Sequence, residues 1–247
     1  MSSARLRNVS RLVQRYLDEQ KLPGAISLVA RRDRVVHCET FGYMDAERRT
    51  PMRADSIFRI YSMTKPIASV GLMTLYEEGR FQLDDAAAKF IPELQDVQVF
   101  VSTRRRTYFS GSGGLVSTAA DYLRFCRMLA NGGELEGVRI LGPRTLRLMT
   151  LNHLPGGTDL ASMALGGAET QREGQGFGLG FAVLLDPTVA QIIGTPGEYF
   201  WGAAASTAFF VNPVEELIVI FLTQLRPSST YPIRRELRAT VYSAILD

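Results

Sequence analysis

The strand-like runs of this chain fall into two groups, and their placement constrains the fold more than any other feature. Ala25–Ala30 and Val35–Tyr43 form the first group, separated only by the charged Arg31-Arg32-Asp33-Arg34. Phe177–Leu185, Phe200–Val211 and Leu217–Leu225 form the second, late in the chain, with Asn212-Pro213 as the turn between the last two. Runs joined so closely pair as antiparallel hairpins. The residues around and between them read as helix. Leu6, Val9, Leu12, Val13, Tyr16 and Leu17 recur at helical spacing, predicting an amphipathic helix near residues 4–19 that Pro23-Gly24 punctuates. A second helix is expected from about Ser62 to Glu78, carrying Ile67, Val70, Leu72, Met73 and Leu75 and stopping at Gly79. Leu83 to Phe90 adds a short helical turn. Thr118-Ala-Ala-Asp121 caps a helix that ends at Asn131-Gly132-Gly133, and Pro143 opens a short one over 143–151. A Gly-rich loop covers roughly 155–175, and an amphipathic helix closes the chain near 231–246.

This order predicts an α+β fold. One antiparallel sheet of about five strands is shared by the two ends of the chain, with the N- and C-terminal helices on one face and a reduced helical region on the other. No repeat or linker composition divides the chain, so residues 1–247 read as one domain. The hydrophobic fraction of 46% against 21% charged residues suits a packed core and excludes a disordered tail. The net charge of +3 is too small to argue for a nucleic-acid partner. Cys38 and Cys126 make no disulfide framework, which predicts a reduced, intracellular setting. The first twenty residues lack the apolar stretch of a signal peptide, and no run approaches the roughly 18 apolar residues of a membrane span. The expectation is a cytoplasmic protein with no membrane partner.

The basic residues divide into 25 arginines and three lysines, Lys21, Lys65 and Lys89. Chemistry that needs a neutral amine must use one of the three, because guanidinium keeps its proton in proteins. Lys65 stands out. In Tyr61-Ser62-Met63-Thr64-Lys65-Pro66, Ser62 and Lys65 lie three apart at an expected helix start, so both side chains project from one face. A hydroxyl is a poor nucleophile until a neighbouring base removes its proton. Lysine can be that base only where burial and positive potential favour its neutral form. A helix N-terminus supplies the potential, and Ile60, Met63 and Ile67 supply the apolar surroundings. The free N–H groups of a first turn make half an oxyanion hole. The bland alternative is an N-cap serine followed by a snorkelling surface lysine.

The stretch IFRIYSMTKPIASVGLMTLYEEGRFQLDD resembles the serine β-lactamase and penicillin-binding-protein superfamily, most closely its class C β-lactamase-like (family VIII) esterases. The resemblance continues in FSGSGGLVSTAADYLRFCRMLANGGELEGVRIL, in GFGLGFAV and in GEYFWGAAASTAFFVNP, in the family's order and over most of the chain. It implies a β-lactamase/transpeptidase-like fold, Ser62 as the acylated nucleophile and Lys65 as its proton-shuttling partner. Trp201-Gly202-Ala203 matches the third motif, on the strand beside the site, with alanine where the esterases carry a second glycine. The N–H of Ala204 would complete the oxyanion hole with that of Ser62.

Between Val101 and Phe109 the chain departs from the family, whose members hold a helical subdomain there with a general acid/base tyrosine. The flanks are joined here by Ser102-Thr103-Arg104-Arg105-Arg106-Thr107-Tyr108, so that subdomain reads as deleted. Tyr108 is the nearest candidate acid/base in sequence, though it does not match the motif. Arg104–Arg106 reads as a solvated loop rather than an anion site. Loss of the lid should leave apolar surface near residues 95–110 and invite a homo-oligomer.

Other chemistries find little support. His37 and His153 have no metal-ligand spacing, and no Gly-x-Ser-x-Gly elbow presents a serine to them. Gly176-x-Gly178-x-Gly180 lacks dinucleotide-binding spacing. No cofactor and no metal is expected. Three functions stay open: a hydrolase of small carboxylic esters through an acyl-Ser62 intermediate, a catalytically impaired remnant serving as a binding or oligomeric module, and hydrolysis of a β-lactam or D-Ala-D-Ala peptide. The last is disfavoured because tryptophan stands where a β-lactam carboxylate meets lysine.

Overall fold

The computed structural model describes residues 1–92, 110–163, 173–228 and 230–247. Ser2 Oγ accepts from the backbone N–H of Arg5 (3.4 Å) and opens α1 (Ser3–Asp18). The predicted apolar stripe of α1 is its buried face: Leu6, Val9, Leu12, Val13 and Tyr16 all lie inside. β1 (Gly24–Arg31) and β2 (Arg34–Asp45) form the first hairpin, and Arg32 and Asp33 turn it with φ of 47° and 57°. Such left-handed pairs match the twist of the flanking strands.

β3 (Thr50–Pro51) and β4 (Phe58–Arg59) lead into α2 (Thr64–Glu77), after which Gly79 turns the chain at φ 71°. β5 (Val116–Ser117) precedes α3 (Ala119–Ala130), where Thr118 Oγ1 accepts from the Asp121 N–H (3.1 Å) as the cap sequence predicts. Then come β6 (Glu134–Leu135), β7 (Val138–Arg139) and α4 (Pro143–Met149). The last third of the chain holds β8 (Gln175–Phe177), β9 (Ala182–Leu184), α5 (Pro187–Ala190), β10 (Tyr199–Gly202), β11 (Ala208–Asn212), β12 (Leu217–Thr223) and α6 (Ile233–Tyr242).

The main sheet runs β3-β2-β1-β12-β11-β10-β9-β8, antiparallel throughout. It has eight strands where the sequence suggested about five. Two of the expected strands are hairpins: Phe177–Leu185 folds back at Gly178–Gly180, and Phe200–Val211 folds back at residues 203–207. β3 adds the third extra strand by pairing with the end of β2. Alternation along each strand cannot reveal these folds, since both arms of a short hairpin carry the same pattern.

The sheet separates two cores. Ala25, Val29, Phe210, Val219 and Phe221 face α1 and α6, while Ile26, Leu28, Phe209, Ile220 and Leu222 face α2 and α3. Each of the larger side chains, valine upward, contributes about 1.5–3 kcal/mol by leaving water. The two-faced burial explains why β1 and β12 read as continuous apolar runs rather than alternating ones.

Between α1 and the β1–β2 hairpin, His37 Nε2 lies 2.7 Å from buried Ser27 Oγ, and its Nδ1 is 3.6 Å from Glu39. Burial lowers the His37 pKa from its usual 6.5, the nearby Glu39 carboxylate opposing that shift. A histidine whose folded pKa is depressed contributes stability at pH values above its unfolded pKa, and that contribution is lost as the pH falls below it. Urea midpoints are therefore expected to fall as the pH drops from 6.5, and His37→Gln should flatten this slope. An unchanged slope in the variant would reassign the effect.

Candidate active site

Ser62 lies in a 3₁₀ turn, Tyr61–Met63, that leads directly into α2. The sequence placed the helix start at Ser62, two residues before it occurs. Pro66 explains the difference: it has no N–H to donate to the Ser62 carbonyl, so the α-helical ladder cannot reach back that far. Tyr61, just before the serine, holds φ at 41°, a left-handed conformation that costs a non-glycine residue energy. Neighbouring elements fix it there. The buried Tyr122 hydroxyl, from α3, donates to the Met63 carbonyl (3.1 Å), and the Ile60 N–H donates to the Leu115 carbonyl (3.2 Å).

β4 and β5 pair through Phe58↔Ser117 and Arg59↔Val116, so residues 110–115 are carried to the mouth of α2. The Leu115 N–H donates to Thr64 Oγ1 (3.2 Å). Within this loop the Ser110 and Ser112 hydroxyls lie 2.8 Å apart. Lys65 Nζ donates to Ser62 Oγ at 3.0 Å and to the Ser112 carbonyl at 2.8 Å. Both Ser62 and Lys65 are half-buried. The expected serine–lysine pair is therefore formed, and the Ser112 carbonyl fixes the direction of the amine.

β10 runs beside the Tyr61–Met63 turn. Trp201 on this strand meets Phe177 edge-on, with ring centroids 5.3 Å apart. Gly202 lies against Arg234 of α6: a Cβ there would stand 2.7–3.0 Å from guanidinium atoms. Arg234 Nη2 donates to the carbonyls of Ala203 (2.6 Å) and Thr207 (3.0 Å), clamping the turn between β10 and β11. The Ala203 N–H closes that turn on the Thr207 carbonyl (2.9 Å), and its methyl is buried in the core facing α2. Alanine is thus accommodated where the family pattern has glycine. Ala204, next along, is exposed. Among the described residues no acceptor takes the N–H of Ser62 or of Ala204.

Gly180, with φ of 101°, brings the β8–β9 hairpin onto α2, where a Cβ would stand 2.5 Å from Ser69 Oγ. The GFGLGFAV stretch therefore serves as close packing behind the site. Tyr108 and Arg104–Arg106 lie outside the described residues. Among those described, no group of three or more His, Cys, Asp or Glu residues gathers as a metal centre. Neither Cys38 nor Cys126 is bonded to another cysteine.

Sequence reasoning missed three contributors. They are Ser112 in the Ser-Gly run, Tyr122 on α3 and Arg234 on α6. The one available signal was Gly202, whose missing side chain leaves room for a group from elsewhere in the chain.

The Beta-lactamase family model matches residues 9–105 and 95–242. Protein Rv1367c of Mycobacterium tuberculosis is 23% identical over 359 aligned positions, covering 87% of this chain and 89% of that protein. Esterase EstB of Burkholderia gladioli is 35% identical over 79 residues, 32% of this chain and 20% of the esterase. Among solved structures, EstCE1, described as a hydrolase with promiscuous acyltransferase activity, superposes with a TM-score of 0.80 at 18% identity, over 96% of this chain and 98% of the other. No helix among the described residues is long and apolar enough to cross a membrane. With the family model spanning nearly its whole length, the chain belongs to the beta-lactamase family of serine hydrolase folds.

Proposed function

We propose that the protein hydrolyses small carboxylic esters through an acyl-Ser62 intermediate. The observation that carries this reading is the 3.0 Å contact between Lys65 Nζ and Ser62 Oγ at the mouth of α2, beside β10. In its neutral form Lys65 takes the Ser62 proton as Oγ bonds to the ester carbonyl carbon. The carbonyl oxygen becomes an oxyanion that the N–H groups of Ser62 and Ala204 are free to receive. Lys65 then gives its proton to the departing alkoxide as the ester C–O bond breaks, releasing an alcohol. Water then attacks the acyl carbon and gives a proton to Lys65, which passes it to Ser62 Oγ as the Oγ–acyl bond breaks and the carboxylic acid leaves. The Ser112 carbonyl occupies one amine hydrogen and so helps turn the nitrogen lone pair toward Ser62.

The esterase relatives support an ester rather than a β-lactam substrate, as does Trp201 in place of lysine. The reading of the chain as lacking an internal segment draws support from two facts. The family model matches in two pieces that meet at residues 95–105, and the Rv1367c alignment runs over 359 positions against a chain of 247. A shortened lid favours short, accessible esters over bulky ones. Incubation with a fluorophosphonate followed by peptide mass spectrometry is expected to find one adduct, on Ser62. Absence of the adduct, or its persistence in Ser62→Ala, would leave the non-catalytic binding module as the better account.

A further inference from the structure

A cavity of about 360 Å³ lies on the far face of the sheet from Ser62, between β8, β10–β12 and α6. Its size falls within the range of ligand pockets, roughly 300–1,000 Å³. The walls are apolar, chiefly Phe200, Phe210, Val219, Phe221 and Leu237. Three arginines, Arg234, Arg235 and Arg238, also line it, and no acidic residue does. Glu198 neutralises Arg238 from behind. Arg235 donates from Nη2 to the Gln191 carbonyl (2.6 Å), next to Ile192 in the cavity wall, and meets no carboxylate among the described residues.

Two further features point to a ligand. Gln175 is 4% exposed and lines the cavity, yet among the described residues its amide makes no side-chain hydrogen bond. It lies opposite Leu184 on the β8–β9 pair, on the sheet face that carries Phe200. Buried polar groups are hydrogen-bonded in the great majority of cases, so an unmet amide facing a cavity calls for a partner. The N-terminus of α6 opens at Tyr231–Pro232 in the same wall, and no side chain caps it. Uncapped first-turn N–H groups and the positive end of the helix dipole favour an anion.

We infer that this cavity binds an aliphatic monocarboxylate, its chain against the phenylalanines and its carboxylate among Gln175, Arg235 and the start of α6. A carboxylate answers every unmet feature of the wall at once. It accepts from the Gln175 amide, balances the Arg235 charge and faces the helix N-terminus. A neutral alcohol meets the amide alone, and a short acid such as acetate leaves the aromatic surface unfilled. This inference does not rest on the chemistry proposed for Ser62, although Trp201, Gly202 and Arg234 border both places.

Trp201 lines the cavity and is the single tryptophan of the chain, so its emission reports occupancy. Decanoate, titrated below its micelle concentration, is expected to change that emission saturably. Acetate should give no change, and decanol should bind at least tenfold more weakly. Losing a hydrogen bond to a charged group weakens binding by about tenfold or more, so Gln175→Leu should raise the decanoate Kd by that factor. Ala208→Leu, which fills the cavity from β11, should do the same. Melting curves verify that both variants fold. Should either fail to fold, Arg235→Gln, on an exposed helix position, is expected to raise the Kd at least threefold. The inference is overturned by no saturable change, by decanol binding as well as decanoate, or by a Kd that the variants leave unaltered.

Discussion

Lys65→Met is expected to lower kcat/KM for p-nitrophenyl butyrate by about 10²- to 10⁴-fold, the range that a positioned general base contributes. The structure argues for an effect on chemistry rather than folding. Lys65 is half-buried, and its hydrogen bonds to Ser62 Oγ and to the Ser112 carbonyl contribute on the order of 1 kcal/mol each. The melting temperature should therefore move only slightly. Lys65→Arg should be as inactive as the methionine variant, because a guanidinium of similar reach cannot release a proton. Ser62→Ala should abolish turnover, and the double variant should be no worse than Ser62→Ala alone, since the two groups act on one proton. Full activity in Lys65→Met would remove the amine from the mechanism.

A loss of about 3–5 kcal/mol in stability is expected for Glu198→Gln, without a matching loss of the serine–lysine geometry. Glu198 is wholly buried where the chain enters β10. Its carboxylate accepts from Arg238 and from the Tyr242 hydroxyl, both on α6, and from Asn212 Nδ2 (3.3 Å) at the end of β11. Arg238 also stacks on Phe210, 4.4 Å from the ring centroid. Removing the carboxylate charge leaves the guanidinium in a low-dielectric interior without its counter-charge, which is the costly half of a buried pair. For a chain of this size that loss lowers the melting temperature by about 10 °C. Urea denaturation of a double-mutant cycle with Arg238→Met checks the cause. The double variant, with both charges gone, should recover much of the loss. If the losses simply add, the pair is not the reason Glu198 is needed.

The amphipathic helices, the cap at Thr118 and the stop at Gly79 were legible because each is a local effect of spacing or backbone freedom. The Ser62–Lys65 contact was legible for the same reason, the two residues being three apart in sequence. What escaped was the reach of distant groups. Nothing near Tyr61 in sequence announces that Tyr122 holds the following turn, or that residues 110–115 arrive beside it through the β4–β5 pair. Likewise the fold-backs at Gly178–Gly180 and 203–207 made four strands of two expected ones, because period-two patterning looks alike on both arms of a tight hairpin. The cation that clamps the Trp201 strand comes from α6, and its identity depends on packing that no short window of sequence contains.

The pairing of β1 with β12 gives the centre of the sheet a particular history. Residues 24–31 are made well before their partner, residues 217–223, which lies far along the chain. Contacts this distant along the chain are slow to form. During synthesis the Gly24–Arg31 ribbon therefore waits with one edge open and both faces greasy, the state in which chains stick to one another. Yield in a cell should thus depend on holdase chaperones and on growth temperature more than the finished molecule's ruggedness would suggest.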